Sequence, residues 1–108
     1  MKKGIVYLIC DPYRNLYKIG VTKNKCSRRM KQLQTGNATE LQIITYYETN
    51  FPYRLESMLH NFLSHKNILN EWYNLDSEDV RNLNETCARY EYTIEMLKDN
   101  PFFSKNLR

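Results

Sequence analysis

The stretch from Gly4 to Leu33 constrains the fold more than any other part of the chain. Two short apolar segments, Ile5–Ile9 and Leu16–Ile19, flank Asp11-Pro12-Tyr13-Arg14-Asn15. Asp, Pro and Asn are residues that turns select, so the two segments predict a β-hairpin. Val6, Leu8 and Cys10 alternate with Tyr7 and Ile9, the period-2 pattern of a strand. On the second strand Leu16, Lys18 and Gly20 share one face, and Tyr17 and Ile19 the other. Gly20 permits a bend or a close backbone approach where that strand ends. The spacing then turns helical over about Cys26 to Gln34, with Met30 and Leu33 as the apolar side. Thr22 or Asn24 is available as a cap, and Thr35-Gly36-Asn37 supplies a stop and a turn. Local geometry thus gathers Tyr7, Tyr17, Lys18, Gly20, Arg28 and Arg29, an unusual set for a purely structural hairpin, and a candidate site.

The remaining chain supplies the layer around that hairpin. Leu41–Glu48 is β-branched and aromatic, and predicts a third, central strand. Asn50 as a cap and Pro52 in the first turn open a helix. Leu55, Leu59, Phe62 and Leu63 form its buried stripe, with Glu56 and His60 one turn apart on the flank. Glu71–Leu75 reads as a short extended segment. Asp76-Ser77-Glu78-Asp79 is a helix entry with acidic residues at the positive end of the dipole. Val80, Leu83, Cys87, Tyr90, Ile94 and Leu97 then continue at helical steps until Asn100-Pro101. The order β-β-α-β-α-(β)-α predicts an α+β fold: a small three-stranded antiparallel sheet, hairpin plus third strand, flanked by helices. Residues 1–99 are expected to form one domain, including a long C-terminal helix over about 77–99, with 100–108 as a tail. The apolar stripe of that helix exceeds what a small sheet covers, which makes a homodimer through it an expectation.

Charge narrows the class of partner. The net charge is +4, yet Lys18, Lys23, Lys25, Arg28, Arg29 and Lys31 fall in one window without an Asp or Glu. Such a one-sided basic patch attracts polyanions and releases their counterions on binding. Cys10, Cys26 and Cys87 show neither metal-type spacing nor an even count, so free thiols are expected rather than a zinc site or a disulfide framework. No apolar run approaches the roughly 18–20 residues of a membrane span, so no membrane partner is expected. Met1-Lys2-Lys3 leads into no signal-peptide core, so an intracellular protein, in the cytoplasm or nucleus of a host cell and not secreted, is expected.

Several pieces together resemble the GIY-YIG nuclease superfamily. They are Gly4-Ile5-Val6-Tyr7 and Tyr17-Lys18-Ile19-Gly20, then Arg29-Met30-Lys31-Gln32-Leu33 and Thr35-Gly36-Asn37. Glu56-Ser57-Met58-Leu59-His60 and Glu71-Trp72-Tyr73 follow in the family's order, so that the likeness spans Gly4 to about Leu75. Lys18, where many members have tyrosine, is similar to a Lys-Ile-Gly branch of bacteriophages and large DNA viruses. The resemblance implies a small antiparallel sheet with helices around it, and metal-dependent endonuclease activity that hydrolyses DNA phosphodiester bonds. It implies that Tyr7 positions the attacking water or takes its proton, that Glu56 is the metal ligand for Mg²⁺ or Mn²⁺, and that the helix arginine binds the scissile phosphate. An origin in a virus, phage or mobile element is implied in the same way.

The chemistry of the residue types agrees with those roles. One carboxylate suffices for a hard Mg²⁺ that keeps several waters. A free phenol titrates near 10, too high for a base at neutral pH, so cations such as Lys18 and the arginine are expected to lower Tyr7. Counting from Gly20 favours Arg28, whereas the R-x-x-x-L register favours Arg29; Arg29, four residues before inward Leu33, is the choice for a bidentate phosphate contact. Tyr7, Lys18, Arg29 and Glu56 are therefore the catalytic candidates, with Tyr17, Arg28, His60 and Glu71 as auxiliaries. Lys23, Lys25, Arg28 and Lys31 are the DNA-binding candidates. A non-catalytic nucleic-acid-binding module on the same fold is the alternative.

Overall fold

The computed structural model describes residues 2–23, 25–35 and 40–100, and only the backbone at Cys26 and Ser27. The hairpin forms as the turn residues predict, with strands β1 (Gly4–Asp11) and β2 (Leu16–Thr22) pairing antiparallel from Ile5↔Thr22 to Asp11↔Leu16. Asp11 Oδ1 accepts from the backbone N–H groups of Tyr13 (3.1 Å) and Arg14 (3.3 Å), which closes the turn from its first residue. Asn15 completes it at φ 57°, a conformation asparagine tolerates better than most residues. Helix α1 follows over Cys26–Thr35. The Asn24 cap and the Gly36-Asn37 turn lie outside the described residues.

Strand β3 (Gln42–Thr49) pairs antiparallel with the other side of β1. It is an edge strand, not the central one, because the order across the sheet is β3-β1-β2-β5-β4. Its Ile43, Ile44 and Tyr46 are exposed. Strand propensity reports fit to a pleated surface and does not say which strand lies between two others.

Among the described residues the sheet has five antiparallel strands, not three. After helix α2 (Pro52–Phe62) and a single 3₁₀ turn at Ser64–Lys66, strands β4 (Asn67–Leu69) and β5 (Trp72–Tyr73) form a second hairpin. The turn between them carries Asn70 at φ 54°. β4 is three residues long and exposed throughout, too short and too solvated to leave a periodic signal. β5 docks on β2 with Tyr17 opposite Tyr73 and Lys18 opposite Trp72, and so brings the Glu-Trp-Tyr segment to the site.

α2 begins differently from expectation. Its N-cap is Phe51 with no side-chain cap, Pro52 occupies the first turn, and the Phe51 N–H donates to Thr49 Oγ1 at 3.0 Å. Gly4 explains the close seating of this helix start, since a Cβ there would lie 2.9 Å from Pro52 Cγ. Leu55, Leu59 and Leu63 are buried as the stripe predicts, but Phe62 is 49% exposed. The expected single C-terminal helix is two: α3 (Ser77–Arg81) and α4 (Leu83–Leu97). Asn82 breaks the run at φ −92° and ψ 1°, where a short polar residue competes poorly for helix. α3 itself starts on a reciprocal capping box between Asp76 and Asp79.

The two sides of the sheet are covered unequally. On one, Val6, Leu8 and Ile19 pack against Leu55, Leu59, Leu63, Tyr73, Leu75, Leu83 and Cys87. On the other, Tyr7 and Ile9 meet Leu41, with Met30 and Leu33 of α1 and with Trp72 packed around them. The tail expected from residue 100 is described only at Asn100.

Candidate active site

Tyr7 is the centre of the thinner side. Strand alternation turns it away from Val6 and Leu8, and its cross-strand partner is Gly20. The ring lies directly on that glycine: a Cβ built at Gly20 would fall within the Tyr7 phenol, onto its hydroxyl and Cζ. Gly20 is therefore a place of close approach, filled by Tyr7. The phenol is 1% exposed overall, and its oxygen accepts a hydrogen bond from Arg29 Nε at 3.3 Å.

The two candidate arginines differ in placement. Met30 and Leu33 point α1 inward, which sets half-buried Arg29 over the sheet and leaves Arg28 exposed. Arg29 also donates through Nη1 to Gln32 Oε1 at 3.3 Å, one turn along the helix. Arg28 joins Lys23, Lys25 and Lys31 on the solvent side, and Lys23 Nζ lies 6.0 Å from the Tyr53 ring centroid. All four of the expected DNA-binding cations are exposed.

Two expectations about titration and pairing are corrected. The phenol of Tyr7 is pushed above its ordinary value, not below it, because burial outweighs the hydrogen bond and charge of Arg29. The Glu71 and Glu56 carboxylates add to the rise. Lys18 is drawn to one of them: its ammonium pairs with Glu71 Oε2 at 3.1 Å and lies 5.6 Å from the Trp72 ring centroid. The register of β5 on β2 dictates this, since Trp72 sits opposite Lys18 and the Glu71 carbonyl accepts from the Ile19 N–H at 3.3 Å. Glu71 thus joins Tyr7, Lys18 and Arg29, whose guanidinium also feels its charge.

Tyr17 faces the other side of the sheet, as alternation requires, and its hydroxyl hydrogen-bonds Cys10. Burial raises the Cys10 thiol, which is a buried free cysteine like Cys87. Glu56 comes from α2, on that same side, and its charge reaches both Tyr7 and Tyr73. His60, one turn on, holds Nε2 at 3.6 Å from Glu56 Oε2. His60 Nδ1 contacts the Tyr73 hydroxyl, with ring centroids 5.3 Å apart. Sequence reasoning missed Tyr73 as a polar participant; the one available signal was its place beside Trp72 in the Glu-Trp-Tyr run.

Among the described residues no group of three or more His, Cys, Asp and Glu side chains could jointly hold a metal ion. Glu56 is a single, partly accessible carboxylate beside an imidazole. That donor set fits a hard cation that accepts one or two carboxylates and keeps its waters, and does not fit a closed zinc site.

An α+β domain with a basic helix and a tyrosine–arginine–carboxylate cluster is what these elements build. The chain belongs to the T5orf172 domain family, whose model matches residues 4–89. That membership is consistent with a nuclease or DNA-binding role. Neither a curated protein nor a solved structure matches the chain. No helix among the described residues is long and apolar enough to cross a membrane.

Proposed function

We propose that this chain is a GIY-YIG-type endonuclease that hydrolyses DNA phosphodiester bonds with Mg²⁺ or Mn²⁺, encoded by a phage, virus or mobile element. The observation that carries this reading is the Arg29–Tyr7 contact, formed on one side of the sheet from two separate motifs, with carboxylate charge reaching the phenol. Arg29 spends Nε on the phenol and keeps further N–H groups for a phosphate oxygen. Because Arg29 donates to the Tyr7 oxygen and burial keeps the phenol protonated, the O–H is free to donate outward. Tyr7 therefore acts as an orienting hydrogen-bond partner for the attacking water rather than as a ready base. Lys18 neutralises Glu71, which removes a negative charge that would otherwise repel the incoming phosphate. Glu56 would hold the metal, whose contribution is Lewis-acid polarisation of the phosphate. Lys23, Lys25, Arg28 and Lys31 track the DNA backbone beside the site.

Supercoiled plasmid tests the reading. Wild-type protein is expected to nick it with Mg²⁺ or Mn²⁺ and not with chelator. Tyr7→Phe, Arg29→Ala and Glu56→Ala should each cost on the order of 10²-fold or more in rate, the scale of losing one transition-state contact. Absence of nicking by wild type, or equal nicking by the variants, overturns it. The raised Tyr7 phenol and the Lys18–Glu71 pair favour one other reading, a DNA-binding module without chemistry. It predicts salt-sensitive DNA binding with no cleavage under any metal.

A further inference from the structure

We infer that Tyr73 is a positioning residue that orients Glu56 through His60, a role that rests on the nuclease reading for its consequence but not for its geometry. Tyr73 lies in β5 with its ring 2% exposed among the apolar residues under α2. Its hydroxyl meets His60 Nδ1, and the opposite ring nitrogen, Nε2, faces Glu56 Oε2 at 3.6 Å. The three side chains therefore form one line from the sheet, through the imidazole, to the carboxylate.

Proton bookkeeping selects one arrangement of a neutral imidazole. A phenol can donate its O–H to Nδ1, and a neutral imidazole whose Nδ1 accepts carries its proton on Nε2. That Nε2–H then points at the carboxylate, which can only accept. The other tautomer would turn the Nε2 lone pair toward Oε2 and set two acceptors against each other. Burial raises the Tyr73 phenol, which keeps its proton on the oxygen and available to donate. One Glu56 oxygen thus faces the imidazole at 3.6 Å, which orients the carboxylate and offers its second oxygen to a ligand. Groups that hold a metal-binding side chain from behind typically change metal affinity or activity by about 10–100-fold when removed.

The test reads the line from both ends in the full chain with ¹⁵N-labelled histidine. The metal-free wild type should show the neutral His60 imidazole with its proton on Nε2. Tyr73→Phe keeps the ring in its packing and removes the donor. It should shift His60 toward a mixture of tautomers and weaken Mn²⁺ binding by about 10-fold or more, with unfolding midpoints reporting that the fold is kept. An unchanged tautomer, or unchanged Mn²⁺ affinity, overturns the inference. A wild type that binds no Mn²⁺ and nicks no plasmid defeats the nuclease reading instead, and the tautomer shift alone then decides the role of Tyr73. Were Tyr73→Phe to lose the fold, His60→Gln on α2 provides the second variant. Mn²⁺ affinity equal to wild type in that variant overturns the inference.

Discussion

The two sides of the sheet do different jobs with similar strand residues. Beneath α2 and α4, Val6, Leu8 and Ile19 meet a broad set of buried leucines and Cys87. Beneath α1, the buried cluster among the described residues is Tyr7, Ile9 and Leu41, with polar groups at its border. Apolar burial stabilises in proportion to area, so the first side anchors the fold. The second is shallow enough for the Tyr7 phenol and the Arg29 guanidinium to meet, with the Glu71 carboxylate, paired to the Lys18 ammonium, within electrostatic reach of both. A site can be polar here because stability is generated on the opposite side of the same strands.

That division can be broken deliberately. Leu83→Ala empties a fully packed position on the anchoring side and is expected to cost roughly 2–5 kcal/mol in urea denaturation. The folded fraction should still bind DNA like wild type; a parallel loss of affinity would show that the two sides are not separable. Gly20→Ala attacks the other side. The added methyl collides with the Tyr7 phenol, so we expect overpacking of roughly 1–3 kcal/mol together with loss of nicking. Wild-type nicking by Gly20→Ala would remove Tyr7 from the mechanism.

Alkaline pH sharpens the comparison. The Cys87 thiol is pushed up from about 9 to about 12 by burial, and the Tyr47 phenol from 10 to about 12 by burial and its hydrogen bond to Glu91. Both protonated forms are favoured in the folded state, so their contribution is complete below about pH 9 and is lost as pH climbs toward 12. Cys87→Ala should flatten part of that decline in a pH series of denaturation curves; an unaltered slope would contradict it. The smallest effect belongs to the exposed cations. Arg28→Ala is expected to leave stability within about 0.5 kcal/mol and to lower the salt dependence of DNA binding by about one counterion.

Much of this was legible locally. The Asp11–Asn15 turn, the alternation that separates Tyr7 from Val6, and the inward Met30 and Leu33 each follow from neighbours a few residues apart. The choice of Arg29 over Arg28 rested on the same helical spacing, and the structure sets Arg29 on Tyr7. The expectations that failed involve distant partners or marginal segments. β4 is too short to carry periodicity, and Asn82 interrupts an apolar pattern that runs through it unbroken. The Lys18 ammonium was expected to serve Tyr7, yet Glu71 reaches it from more than fifty residues away.

The sequence by itself determined the hairpin, the basic helix and the amphipathic stripes, because turn chemistry and periodicity act over a few residues. Tertiary structure decided which charges face one another. The docking of β5 on β2 placed Glu71 at Lys18 and Tyr73 at His60, and burial under α1 raised the phenol that local cations were expected to lower. Strand pairing and desolvation depend on residues far apart in the chain, so neither has a local signature.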